Sequence, residues 1–358
     1  MTDRQPDDGG SLLADAARNG DGRNGDGRNA CRRCAAAVPY GDRFCPSCGT
    51  DLRILRGGTT AVTAGGEPPR TCQDCGGEGV PGPSMPGRAP GIQWCGSCGA
   101  RLGESVDRVE VDLGVLAGVS DRGLAHRRNE DAIALGRVVA AGDRPEAAVV
   151  CDGVSSTHRP EEAARAAADA TLDVLLCEPG AGPTAPGLRM RAAVSAAVSA
   201  VAGLGGGAEG PSCTLVAAHV DDGEVTVGWV GDSRAYWLPD HGDGRLLTRD
   251  HSWAVEMVAF GLLDAEAAAR DRRAHAITRW IGPQDHPQPD VTTLRPDGPG
   301  ILLLCSDGLW NYLPEPAELA ATVRTAGSTI EAADLLTRAA LDAGGRDNIS
   351  VVVLPVAP

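Results

Sequence analysis

From about residue 108 the chain alternates between short apolar runs and longer stretches with helical spacing. The runs VDLGVLAGVS, AAVVC, CTLVAAHV, EVTVGWV, RAYWL, ILLLC and ISVVVL read as strands. Asp221, Asp222 and Gly223 form a turn that joins two of them as a hairpin. PEEAARAAADATLDVLL opens with a proline and two glutamates, the residues favoured in a first helical turn. LRMRAAVSAAVSAV, SWAVEMVAFGLL, AEAAARDRR, PAELAATVR and TIEAADLLTRAALDAG also read as helices. Runs of strands broken by paired helices, without a regular βαβ alternation, predict an α+β domain over residues 108–356.

The first hundred residues follow a different pattern. Residues 1–30 include NGDGRNGDGRN and few apolar positions, a composition that predicts disorder. Four CxxC pairs follow: Cys31 with Cys34, Cys45 with Cys48, Cys72 with Cys75, and Cys95 with Cys98. Each pair places two thiolates on one tight turn, and two such turns close a four-sulfur tetrahedral site. Redox motifs and disulfides are the competing readings; four redox pairs outside any βαβ pattern, in a chain expected to be cytoplasmic, disfavour both. CRRCAAAVPYGDRFCPSCGTDL and CQDCGGEGVPGPSMPGRAPGIQWCGSCGARL resemble zinc ribbons. They are assigned to residues 31–55 and 71–104, with a Gly-, Thr- and Pro-containing linker at 56–70. Modules this small bury little apolar surface, so two structural zinc ions, each contributing roughly 10 to 16 kcal/mol, would drive their folding. Arginines 28, 32, 33, 43, 53 and 56 make the first ribbon basic, but few aromatic residues accompany them for stacking on bases.

Composition narrows the function classes. Hydrophobic residues reach 42% but aromatics only 3%, so the core must be built from Val, Leu, Ile and Ala. No lysine occurs, and all 33 basic residues are arginine, a usage like that of a high-GC bacterial genome. A net charge of -15 argues against general binding to nucleic acid or anionic membrane. No apolar run approaches the length of a membrane span, and MTDRQPDDGG is too polar for a signal peptide, so the expected compartment is the cytoplasm. Cys151, Cys177, Cys213 and Cys305 lack ligand spacing and read as small buried residues.

The candidate chemistry lies at the ends of the apolar runs. Asp152, Asp232, Asp307 and Asp347 sit at the rims of AAVVCDG, VTVGWVGDSR, ILLLCSDG and GGRDNISVVVL, and Glu130 with Asp131 lies in HRRNEDAIAL. Strands in one sheet can deliver all of these carboxylates to the same end. Crowded carboxylates in a partly dry site need a cation to offset their repulsion. Oxygen ligands without histidine favour magnesium or manganese over zinc or copper. Any one Asp-Gly is weak evidence, since it is a common turn; the set of them points to chemistry.

In order, SDRGLAHRRNEDAIAL, VVCDGV, VGDSRAYWL, LTRDHS, ITRWIG, LLLCSDGLW and GGRDNISVVVL resemble the motifs of metal-dependent, type 2C serine/threonine protein phosphatases. The resemblance covers about residues 110–355 and implies a two-sheet αββα sandwich with a binuclear metal centre at one end. Asp152 would then bridge two manganese or magnesium ions, with the Gly153 carbonyl and Glu130 on one side and Asp307 and Asp347 on the other. Asp232 with Asp307 would hold a third, weaker ion. Asp131 and Asn348 would support the ligands, and residues from Thr248 to Gly282, including Asp250, His251, Asp264 and His275, would form a flap. The implied partners are phosphorylated proteins and a cognate serine/threonine kinase, with the ribbons as a recognition or regulatory module.

Two positions depart from that pattern. His126 stands where the family has a phosphate-gripping arginine, and losing a charge-assisted contact there costs about 1.5 to 3 kcal/mol. Arg127 or Arg128 takes over if the loop is shifted by a residue. Val154 follows Asp152–Gly153 where many eukaryotic members have a histidine, leaving leaving-group protonation to water or to His158, and DGVSS lacks the usual glycine pair. These departures keep two alternatives open: a catalytically silent phosphoprotein-binding domain and a zinc-ribbon adaptor.

Overall fold

The computed structural model describes residues 44–47, 108–138, 145–177 and 185–357, and the short strands Asn29–Ala30, Ala37–Val38, Ile54–Arg56, Thr60–Ala61, Gly79–Val80, Gln93–Cys95 and Arg101–Leu102. Of the cysteines assigned to zinc, Cys31, Cys34, Cys48, Cys72, Cys75 and Cys98 lie outside these residues. Cys45 is buried, and Cys95 ends a strand that pairs with Gly79–Val80.

Two antiparallel sheets form the centre. In chain order their strands are β1 (Ile54–Arg56), β2 (Thr60–Ala61), β3 (Arg108–Asp112), β4 (Ala117–Asp121), β5 (Ala132–Val138), β6 (Glu146–Cys151), β7 (Leu215–Asp221), β8 (Glu224–Val230), β9 (Arg234–Pro239), β10 (Arg245–Leu246), β11 (Asp290–Leu294), β12 (Gly300–Cys305) and β13 (Ile349–Val356). One sheet runs β11-β8-β7-β6-β5-β1, and the other β10-β9-β12-β13-β4-β3-β2. Helices α1 (Pro160–Leu175) and α2 (Pro186–Ala202) cover the first sheet. Next in sequence come α3 (Trp253–Ala259), α4 (Ala265–Arg270) and the short α5 (Asp307–Trp310), while α6 (Pro316–Val323) and α7 (Thr329–Asp342) cover the second sheet.

The unbroken apolar runs follow from this layering, because their strands are covered on both faces. In β6, Ala148 and Val150 face the other sheet, while Ala147, Val149 and Cys151 face α1 and α2. In β12, Leu302 and Leu304 point between the sheets, and Ile301, Leu303 and Cys305 point toward α6 and α7. The scarce aromatics are compensated by alanine. Ala163, Ala164, Ala167 and Ala168 on α1 are fully buried, and small side chains there let the helix lie close to its sheet and to α2.

Several sequence expectations are corrected at element ends. VDLGVLAGVS is a hairpin of β3 and β4 rather than one strand, because the backbone of Gly114 takes φ +79 and Leu113 N–H bonds to Leu116 carbonyl at 3.0 Å. The helix read across SWAVEMVAFGLL stops at Ala259, where Gly261 at φ +67 provides a left-handed exit. The hairpin at Asp221–Gly223 forms as expected, with Asp222 and Gly223 both at positive φ. Two strands lie in or beside the stretch read as a linker. β1 pairs with β5 from Ile54 opposite Val138 to Arg56 opposite Gly136, and β2 pairs with β3 at Thr60–Glu110 and Ala61–Val109. Arg56 also forms an ion pair with Asp173 of α1. Among the described residues no helix is long and apolar enough to cross a membrane.

Candidate metal centre

One end of the sandwich collects the acidic residues, because the strands that carry them end there. Asp152 and Gly153 follow β6, Asp232 follows β8, Asp307 follows β12, Asp347 precedes β13, and Glu130 and Asp131 precede β5. Asp152 is anchored by its own backbone. Its N–H bonds to Thr214 Oγ1 at 3.3 Å, and its carbonyl accepts from Thr214 N–H at 2.8 Å. Thr214 Oγ1 also meets Ser233 Oγ at 2.8 Å, which ties the Asp152 turn to the Asp232 turn.

Glycine makes the close approach possible. Gly123 has φ +72, and a Cβ there would lie 2.1 Å from the Asp347 carbonyl oxygen. A Cβ on Gly308 would lie 2.0 Å from the Asn348 carbonyl oxygen, so the turn after Asp307 can sit directly on the turn before β13 only without a side chain.

The carboxylates act on one another. Burial first, and then Asp131, Asp307, Asp232 and Asp347, push the proton affinity of Asp152 well above the ordinary carboxylate range. Asp307 is raised to about 6, by burial and then Asp347, while Asp152 and Asn311 beside it pull the other way. Asp232 rises to about 8, by burial and then Asp307 and Asp250. Asp131 rises to about 7, chiefly by burial, although Ser350 and Ser306 beside it pull the other way. Both oxygens of Asp131 and Oδ1 of Asp307 are buried with no hydrogen-bond partner. Buried acceptors that lack donors and repel their neighbours suit a cation. Among the described residues, no group of three or more His, Cys, Asp or Glu side chains is already arranged to hold a metal ion. The group is a convergence of repelling charges, which fits an all-oxygen donor set for a hard divalent ion without fixing its geometry.

Other predicted residues take distinct places. Asn348 staples the loop before β5: its Oδ1 accepts from Glu130 N–H at 2.7 Å, and its Nδ2 donates to the carbonyls of Arg122 and Arg128 at 2.7 and 3.1 Å. His126 Nε2 lies 3.1 Å from Asp347 Oδ1. Arg128 is engaged with Glu130 at 3.3 Å and Glu161 at 3.2 Å, and Arg127 is exposed. Ser155 of the unusual DGVSS loop donates to Glu130 Oε2 at 2.6 Å. His158 is exposed, and its N–H bonds to Glu209 carbonyl at 3.3 Å.

Sequence reasoning missed the hydroxyls beneath the carboxylates. Ser350 Oγ bonds to Ser120 Oγ at 2.8 Å, Asn129 Nδ2 donates to Ser120 Oγ at 2.8 Å, and Ser350 N–H donates to Ser306 Oγ at 2.9 Å. Their one sequence signal is a serine or threonine inside an otherwise apolar strand end.

The segment from Thr248 to Gly282 borders this end. Its neck is held by Trp253 N–H to Ala276 carbonyl at 2.8 Å and Thr278 N–H to His251 carbonyl at 2.9 Å. Beyond the neck, α3 buries no residue and α4 only Ala268, and Phe260 and Leu262 are 70% and 66% exposed. At its base, His251 Nδ1 accepts from Gly231 N–H at 3.0 Å, so the remaining ring proton of the neutral imidazole is on Nε2, 3.4 Å from Asp290.

Residues 122–342 match the family model described as Protein phosphatase 2C. The serine/threonine phosphatase stp of Listeria monocytogenes is 35% identical over 145 residues, which cover 40% of this chain and 57% of that protein. The chain thus spans little more than half the length of that curated relative. The crystal structure of the Mycobacterium tuberculosis serine/threonine phosphatase PstP/Ppp is similar with a TM-score of 0.56 and 28% identity, covering 68% of this chain and 97% of that one. The catalytic domain of a PstP phosphatase in complex with 2 manganese ions has a TM-score of 0.54 and 30% identity, over 67% and 97% of the two chains.

Proposed function

We propose, because this chain belongs to the protein phosphatase 2C family, that it hydrolyses phosphoserine and phosphothreonine in proteins. The observation that carries this reading is the convergence of Asp131, Asp307, Asp232 and Asp347 on Asp152, whose proton affinity they raise, while both oxygens of Asp131 and one of Asp307 lack donors. When bound, two magnesium or manganese ions supply positive charge that makes water a stronger nucleophile and offsets the charge on the phosphoryl oxygens. Asp152, Glu130, the Gly153 carbonyl, Asp307 and Asp347 would hold them. Asp232 with Asp307 would hold a weaker third.

The remaining side chains position and insulate. Asn348 fixes the loop that carries Glu130, and Ser155 and Arg128 fix the Glu130 carboxylate itself. His126 reaches Asp347 in this reading, so it orients a ligand and reaches phosphate with one donor at most. No protein nucleophile is required. Cys151 and Cys305 are fully buried, and burial raises both thiols, which keeps them protonated and inert. Residues 108–356 form the catalytic domain in this reading. The two structural zinc sites of residues 31–55 and 71–104 would fold a module that recognises the phosphorylated partner or its kinase.

The test is manganese-dependent turnover of a phosphothreonine peptide by the full chain and its Asp307→Asn variant. Turnover by the parent that chelator removes and the variant lacks supports the reading. Manganese binding without turnover favours a silent phosphoprotein-binding domain, the alternative suggested by His126.

A further inference from the structure

We propose that Trp310 is a positioning residue that joins the 248–282 flap to the acidic centre, so that one ring holds both the placement of the flap and the spacing of Asp232 and Asp307. The last clause rests on the reading of those two carboxylates as ligands of one centre; the link to the flap does not.

Trp310 closes the short helix that Asp307 opens, so the two residues share one turn. It is 5% exposed, and its indole Nε1 donates to the carbonyl of Asp232 at 2.9 Å. One aspartate of the centre is therefore on its own helix, and the other is held by its ring nitrogen. The guanidinium of Arg234 lies 3.7 Å from the ring centroid, and Arg234 is itself fixed by two bonds to Asp250 at 3.0 and 2.7 Å. The ring of His275, on the returning limb of the flap, lies 5.9 Å away at a 35° tilt. Three segments distant in sequence thus meet on one indole.

The chemistry explains why tryptophan suits the position. A buried carbonyl needs a donor, and the indole N–H provides one while the ring face remains free for a cation and a second aromatic ring. Phenylalanine would lose the donor and, no longer tethered to the Asp232 carbonyl, would not hold a ring of the same reach against His275. The flap has few buried side chains to hold it otherwise, so a single ring contact near its neck carries weight. The turn on the far side cannot slip to compensate, because Gly231 at φ +110 is packed against Thr214.

The experiment compares the full chain with its Trp310→Phe and His275→Ala variants by amide hydrogen exchange without metal and by manganese titration. Trp310→Phe should speed exchange across 253–276 about fivefold or more, with β6 and β12 unchanged, and weaken the last manganese to bind by about tenfold. His275→Ala should speed flap exchange and leave manganese affinity within about twofold of the parent. Parental flap exchange in either variant overturns the proposal. So does an increase spread over the whole sandwich in Trp310→Phe, because that marks a core defect. If the parent binds no manganese and hydrolyses no phosphopeptide, the catalytic reading fails, and the flap exchange of the variants still decides whether Trp310 makes the link.

Discussion

Two regions border the same acidic centre and are built in opposite ways. The strand ends that carry Asp152 and Asp307 continue from β6 and β12, whose residues are buried between a partner sheet and a helix layer. The flap hangs beside them on a hydrogen-bonded neck, with α3 burying no side chain and Phe260 and Leu262 facing solvent. Rigidity is spent where charges must be held against their mutual repulsion. Looseness lies in the segment that borders them, which little buried surface holds down.

The contrast can be tested most severely at Asp307. Replacing it with asparagine should lower manganese-dependent hydrolysis on the order of a thousandfold. The thermal midpoint without metal should hold or rise, because the charge removed is one that burial and Asp347 already oppose. A variant that keeps its turnover, or that unfolds, would break the comparison.

Beneath the strand ends, Leu304→Ala should cost about 2 to 5 kcal/mol in denaturant unfolding, since Leu304 is fully buried between the sheets. Its folded fraction should retain parental kcat.

Next in size is a pH effect away from the centre. His219 on β7 is pushed down to about 4, by burial first and Arg189 second. The folded state binds fewer protons than the unfolded chain between pH 6.5 and 4. Stability from this group is therefore complete above about pH 6.5 and falls by up to about 3 kcal/mol as pH drops toward 4. The buried carboxylates slope the other way, so the parent should be compared with His219→Leu, whose unfolding should lack this loss.

The smallest stability effect belongs to the flap. Phe260→Ser should change unfolding free energy by no more than about 0.5 kcal/mol. Hydrolysis of p-nitrophenyl phosphate should stay near parental while KM for a phosphoprotein rises. A large stability loss would mean the flap is packed after all.

The centre was legible in the sequence because its signal is coarse. An acidic residue at the rim of an apolar run needs only the strand to be real, and Asp152, Asp232 and Asp307 after their strands and Asp347 before its own meet through that alone. The hydroxyl layer was hidden, since Ser120, Ser306, Ser350 and Thr214 lie among apolar neighbours where a small polar residue draws no notice. β11 escaped for a similar reason. DVTTL is an edge strand with half-exposed faces, so neither continuity nor alternation marks it. The positions of His126 and Arg128 depend on how a loop folds back onto Asn348, and a side-chain staple 218 residues away from Glu130 leaves no local pattern.

The pairing of Ile54–Arg56 and Thr60–Ala61 reaches beyond the neighbourhood of the ribbons. A sheet border with open main-chain groups is a template for another chain. Here β1 runs along β5 and β2 along β3, so the polypeptide hems one border of each sheet. Cutting it back to begin near residue 105 would strip both hems at once, baring the backbone of residues 136–138 in one layer and of Val109 and Glu110 in the other. The shortened protein would then self-associate through its raw margins, and a fall in activity on truncation would first have to be read as clumping.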